Sequence, residues 1–184
     1  MINRSELLNK LLKQQEDEWK RYESLLPKSA DIELIILKGH LIIEDMLKAL
    51  IISFCNYPAH INSARLSFSQ AYHVARALQK FPEDKFLWQA IALLNKLRNM
   101  LAHKLEPCDL EENINKIYIE LFHNSKHKHD HSITSPLPQK CCYIVGFIIG
   151  KLAVCIPINA FLAHNSRLSS DDAMIIRTCM ESAE

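Results

Sequence analysis

The sequence predicts an all-α fold, a helical bundle of about five to seven helices within a single domain spanning residues 1–184. Three observations carry that expectation. Glycine is scarce, 3 residues in the chain, while Leu, Ile, Ala, Lys and Glu abound, which argues against a turn-rich β architecture. Apolar residues recur at every third or fourth position along several long segments. Proline or a capping side chain bounds most of those segments. Hydrophobic residues make up 48% of the chain, ample for a core.

Residues 4–26 form the first predicted helix, with Leu7, Leu8, Leu11 and Leu12 on one side and Trp19, Tyr22 and Leu26 continuing the stripe. Charges at Glu16, Asp17, Glu18, Lys20 and Arg21 mark its wet face, and Pro27 ends it. The segment from Asp31 to about Cys55 is a second and more apolar helix, broken by Asn56-Tyr57-Pro58-Ala59. At about 100° per residue, Glu33, His40 and Glu44 fall within roughly 40° of one another on it. That stripe has two readings: a strip facing solvent, or a strip facing a cleft in which Glu44 pairs with Arg98 or orients His103.

Ser67 or Ser69 caps a short third helix running to Lys80, with Ala71, Val74, Ala75 and Leu78 inward. Arg65, His73 and Arg76 around it are either accessory contacts for an anionic ligand or ordinary surface groups. Phe81-Pro82-Glu83-Asp84 opens the next helix, with proline in the first turn and acids at the positive end of the dipole. It carries Phe86, Leu87, Trp88, Ile91, Leu94 and Leu97 and ends near His103, before Glu106-Pro107. This helix and the 31–55 helix are expected to pack antiparallel as the central pair. Asp109 caps a fifth helix to about Phe122, with Ile114, Ile117, Tyr118 and Leu121 buried.

The polar stretch 124–132 places His127, His129, Asp130 and His131 close together, a composition that suits either a flexible loop or a transition-metal site. No metal site is assigned. The last apolar element, Cys141 to Ala163, is long enough to invite a membrane-spanning reading, but Lys151 interrupts it with no evident partner, followed by Pro157 and Asn159. A buried or interface helix is expected instead, with Gly146 and Gly150 allowing close approach. A further short helix starts near Ser170-Asp171-Asp172.

Composition narrows the function. The formal net charge is +1, so no global field draws nucleic acid, and any RNA contact must come from a local patch. The six cysteines, at 55, 108, 141, 142, 155 and 179, include no C-x-x-C pair, and no histidine stands at zinc-finger spacing. The N-terminal segment is charged and amphipathic rather than a signal peptide, and scattered thiols fit a reducing cytoplasm. No glycine-rich phosphate loop and no G-x-S-x-G elbow occurs.

What remains is a cluster of polar residues at the end of an apolar helix. Arg98, Asn99 and His103 lie among Leu94, Leu97, Leu101 and Leu105. Arginine supplies a fixed cation with a donor fork suited to phosphate, and histidine gives or takes a proton near neutral pH. In a straight helix Arg98 and His103 diverge by roughly 140°, whereas Asn99 and His103 share a face. Convergence on one phosphate then requires either that the helix end before His103 or that a second copy supply the missing group.

Arg98-Asn99-x-x-Ala102-His103 resembles the R-x4-H signature of the HEPN family (higher eukaryotes and prokaryotes nucleotide-binding), and Gly39–Leu47 with Glu44 resembles the helix that precedes it. The resemblance covers about residues 30–125, leaving a C-terminal helical extension at about 138–184. A weaker resemblance runs to the mannitol operon repressor-like proteins. The first resemblance implies a HEPN-like bundle and a metal-independent endoribonuclease with Arg98, Asn99 and His103 catalytic, Glu44 and His40 supporting, and no cofactor. It also implies a homodimer with paired motifs, RNA as substrate, a cognate antitoxin or regulatory protein as partner, and a toxin–antitoxin or phage-defence setting. Leu105 stands where one toxin subfamily carries a tyrosine that its antitoxin modifies, which puts that control mechanism in doubt here. The second resemblance implies a non-catalytic helical regulator or interaction module.

Overall fold

The computed structural model describes residues 4–28, 30–79, 84–103, 109–124, 134–164, 174–176 and 178–179. Among them the fold is an all-α bundle with no strand. Its helices are α1 (Arg4–Glu23), α2 (Ile32–Ile52), α3 (Pro58–Ala64), α4 (Phe68–Leu78), α5 (Lys85–His103), α6 (Leu110–Asn124) and α7 (Leu137–His164). Residues 174–176 and 178–179 are helical as well. The expected loop containing His127, His129 and His131, the Phe81-Pro82-Glu83 helix start and the Ser170–Asp172 start lie outside the described residues.

Local chemistry sets the helix ends. The Asp31 carboxylate accepts from the Leu34 N–H at 3.1 Å and caps α2. Ser67 and Gln70 form a reciprocal capping box at the start of α4. α3 falls where the sequence suggests only a break: Pro58 occupies its first turn, a position that needs no N–H, so the residue expected to interrupt helix starts one. Arg65 ends α3 in the left-handed region at φ 48°, a conformation unusual for a residue with a side chain. α5 is described from Lys85, and Asp84 Oδ1 accepts from the Leu87 N–H at 3.0 Å.

The central pair differs from the expected one. α2 touches α5, but its most extensive contact is with α7, which also packs on α1, α5 and α6. The reason is the all-round apolar surface of α7, which needs neighbours on several sides. One core cluster includes Ile35, Ile43 and Leu47 of α2, Leu87 and Leu94 of α5, and Val145, Ile148 and Leu152 of α7. A second, smaller one joins Leu11 of α1 to Val154, Ile158 and Leu162 of α7 and to Ile175, Ile176 and Cys179. α1 is further tied to α2 where the buried Tyr22 hydroxyl donates to Asp45 Oδ2 at 2.9 Å.

α7 is long and apolar enough to cross a membrane by length and composition, and 61% of its most apolar window is buried inside the fold. Lys151, expected to lack a partner, lies 3.7 Å from Asp84 Oδ2. The cap of α5 therefore also serves the one lysine in the middle of α7. Pro157, expected to interrupt this element, sits inside the helix. Its ring carries a helical φ and removes a single N–H. Two residues on, the Asn159 side-chain amide donates to the Cys155 carbonyl at 2.9 Å within a closely packed environment.

α2 and α7 approach closely at Gly39. A Cβ there would meet the Val145 methyls at 2.7 and 2.8 Å. Both valine methyls branch from Cβ, so no flexible chain end can yield. Gly39→Ala should therefore destabilise the protein by about 1–3 kcal/mol in urea unfolding. Combined with Val145→Ala, the total cost should fall below the sum of the two single substitutions, because each relieves or tolerates the other. A strictly additive pair would show that α2 and α7 do not meet there.

Candidate functional site

α5 is two-sided. Leu87, Trp88, Ala90, Ile91, Leu94 and Leu97 are buried on one side. The other side bears Asn95, Asn99 and His103, four residues apart, so that each step climbs about 6 Å and drifts by about 40°. Together with Ala92, Lys96 and Met100 these residues line an open depression of about 420 Å3.

The motif residues occupy distinct places. Asn99 and His103 are exposed in the depression, sharing a face as their spacing predicts. The helix runs through His103 as its last residue, so an early helix end does not swing the imidazole towards Arg98. Arg98 is half-buried and does not line the depression; its Nη1 instead donates to Asn99 Oδ1 at 3.0 Å. Because guanidinium only donates, that contact fixes the Asn99 amide with its oxygen towards Arg98 and its NH2 group free to turn outward.

The two supporting residues on α2 part company. His40 is 4% exposed, stacked on the Phe68 ring at a centroid distance of 4.1 Å. Its Nε2 lies 3.0 Å from Asn95 Oδ1. An amide oxygen can only accept, so the neutral ring is the Nε2–H tautomer and donates. Glu44 is held by Lys48, whose Nζ donates at 2.6 Å. Among the described residues no ion pair joins Glu44 to Arg98 or His103; its pair is Lys48, one turn along the same helix. The α2 stripe thus splits between an exposed Glu33, a half-buried Glu44 and a buried His40.

Asn95 and Lys96 escaped the sequence reading. The signal was present: Asn95 stands four residues before Asn99, which stands four before His103. Lys96 adds a cation at the rim, its Nζ donating to Asn113 Oδ1 of α6 at 3.3 Å. Arg65, His73 and Arg76 are exposed on α3 and α4, outside the lining of the depression.

Other chemistry finds less support. Among the described residues no three His, Cys, Asp or Glu side chains gather as a metal site. Cys141 and Cys155 are free thiols whose pKa burial pushes up to about 12, which suits packing rather than nucleophilic attack.

The pKa of His40 lies below its ordinary value of 6.5, first because burial penalises the charged ring and then because the Arg98 charge opposes it; the Asn95 bond and the Glu44 charge act the other way. The unfolded chain therefore binds a proton at this ring more readily than the folded one. Where the unfolded state holds more protons, stability rises with pH. This contribution is complete above 6.5 and declines as pH falls below it, until the folded ring is protonated too. Urea midpoints should drop between pH 7.5 and pH 5, and His40→Gln, which cannot titrate, should flatten that part of the profile. An unchanged slope in the variant would assign the pH dependence to other groups.

No protein-family model matches this chain, and neither a curated protein nor a solved structure matches it.

Proposed function

We propose that this protein is a HEPN-type, metal-independent endoribonuclease that cleaves single-stranded RNA at the α5 depression. The observation that carries the reading is the polarity of that surface. Asn99 has its oxygen occupied by Arg98, Asn95 has its oxygen occupied by His40, and Lys96 only donates. A depression lined by donors suits an anion, and a phosphodiester is the anion that a neighbouring histidine can work on.

In this mechanism His103 takes the proton of a ribose 2′-hydroxyl as the 2′ oxygen attacks phosphorus. The phosphorus–5′ oxygen bond breaks, and the departing 5′ oxygen takes its proton from solvent water. The product keeps a 2′,3′-cyclic phosphate. Arg98 offsets the charge that grows on the phosphate oxygens, and the Asn99 NH2 group holds one of them. Because Arg98 and His103 point apart along one helix, a homodimer with facing motifs brings the Arg98 of one copy to the His103 of the other. The resemblance adds a cytoplasmic toxin or phage-defence setting with a regulatory partner.

A second reading, the non-catalytic regulator or interaction module, is favoured by α2: His40 and Glu44 are engaged in contacts that hold the fold. The two readings separate in one assay. Purified protein should cleave single-stranded RNA in EDTA, leave DNA intact and produce cyclic phosphate ends. His103→Ala should lower the rate by about 10²–10⁴-fold. Arg98→Ala should be comparably damaging, and Arg98→Lys should recover little because an ammonium lacks the fork. Replacing His127, His129 and His131 should change nothing. Each variant must keep wild-type helical circular dichroism. Intact RNA with the wild-type protein, or a His103→Ala variant as fast as wild type, leaves the regulator reading in its place.

A further inference from the structure

We infer that His40 is a positioning residue for RNA binding: by donating Nε2–H to Asn95 Oδ1, it turns the Asn95 amide so that the NH2 group meets a phosphodiester oxygen in the depression. This rests on the proposed reading of the depression as an RNA site.

A primary amide is ambivalent. Turned one way it offers two N–H donors, turned the other it offers oxygen lone pairs that repel phosphate. Exposed asparagine on a helix interconverts between the two. Asn95 does not have that freedom, because its oxygen is held 3.0 Å from a buried ring. The ring is itself immobilised. Burial leaves it 4% exposed, and Phe68 lies against its face with an interplanar angle of 21°. Phe68 is the first residue of α4, inside the Ser67–Gln70 capping box that fixes the first turn. The hydroxyl–amide cap, the stacked pair and the imidazole–amide bond thus form one chain of contacts from α4 through α2 to α5.

Asn99 is treated the same way by a different donor, Arg98. Two asparagines, about 6 Å apart along α5, therefore both have their oxygens turned away from the ligand side. Reading adenine with asparagine requires both amide atoms, the oxygen for N6–H and the nitrogen for N7. Each oxygen is turned towards a protein donor, so neither amide presents the oxygen–nitrogen pair that adenine needs. The row is built to follow a backbone and not to read bases, which makes the site tolerant of sequence.

The test uses 2′-O-methyl oligouridine and oligoadenosine, which cannot be cleaved through the 2′ oxygen, with fluorescence anisotropy at fixed salt. Wild-type protein should bind both alike. Asn95→Ala and His40→Phe should each weaken binding by roughly tenfold, the loss expected for one hydrogen bond to a charged oxygen. His40→Gln, which retains an N–H donor, should restore most of the affinity. The double variant His40→Phe/Asn95→Ala should bind no more weakly than Asn95→Ala alone. Asn95→Asp keeps the acceptor for His40 and removes the donors, so it should bind more weakly than Asn95→Ala, and it decides the matter if His40→Phe fails to fold. Additive losses in the double variant, His40→Gln as weak as His40→Phe, Asn95→Asp equal to wild type, or a strong preference for adenosine would each overturn the inference while leaving RNA binding intact. Wild-type protein that binds neither oligonucleotide would bring down the ribonuclease reading and this inference together.

Discussion

The contact on which the fold depends is the one between α2 and α7 at Gly39 and Val145. A glycine on α2 admits a β-branched residue of α7 into the space where a side chain would stand. Close helix approach raises the number of dispersion contacts on both sides, each small and together large. It also sets the rotation of α2 about its own axis. With Gly39 turned to α7, the next residue, His40, is turned by about 100° away from it, towards α4 and α5. Glycine and histidine are adjacent in sequence, and the first determines where the second points.

That rotation links the core to the surface depression. The His40 side chain of α2 bonds to α5, and the atom it reaches, Asn95 Oδ1, belongs to the polar row. The electrostatics follow from the same arrangement. A neutral imidazole can stand beside Arg98 where a protonated one would be opposed, and Glu44, which would favour the charged ring, is itself neutralised by Lys48. The site is therefore held by hydrogen bonds with fixed directions more than by ion pairs, which suits a protein whose net charge is +1.

Much of this was legible in the residues. The caps Asp31 and Ser67, the apolar face of α5 and the shared face of Asn99 and His103 all follow from local rules that tertiary packing did not override. The failures have physical causes. Pro58 reads as a breaker because proline both ends helices and begins them, and sequence alone does not say which. Pro157 reads as an interruption because the burial that holds the helix through it is a property of the whole fold. Lys151 looked isolated because its partner, Asp84, lies 67 positions earlier in the chain, and an amphipathic pattern carries no record of such pairs. Asn95 carries no signal of its own in sequence, because asparagine on a half-exposed helix face is ordinary without the buried histidine behind it.

The placement of α7 also bears on how the chain is made. The helix that contacts α1, α2, α5 and α6 is synthesised after all four of them. Until it emerges, Ile35, Ile43, Leu47 and their neighbours on α2 have no α7 surface to cover them. At roughly 5–20 residues per second, the interval between the end of α2 and the end of α7 lasts several seconds or more. During synthesis α4 and α5 can settle on α2 first, but its α7-facing side stays open until α7 follows, so that part of the core closes late.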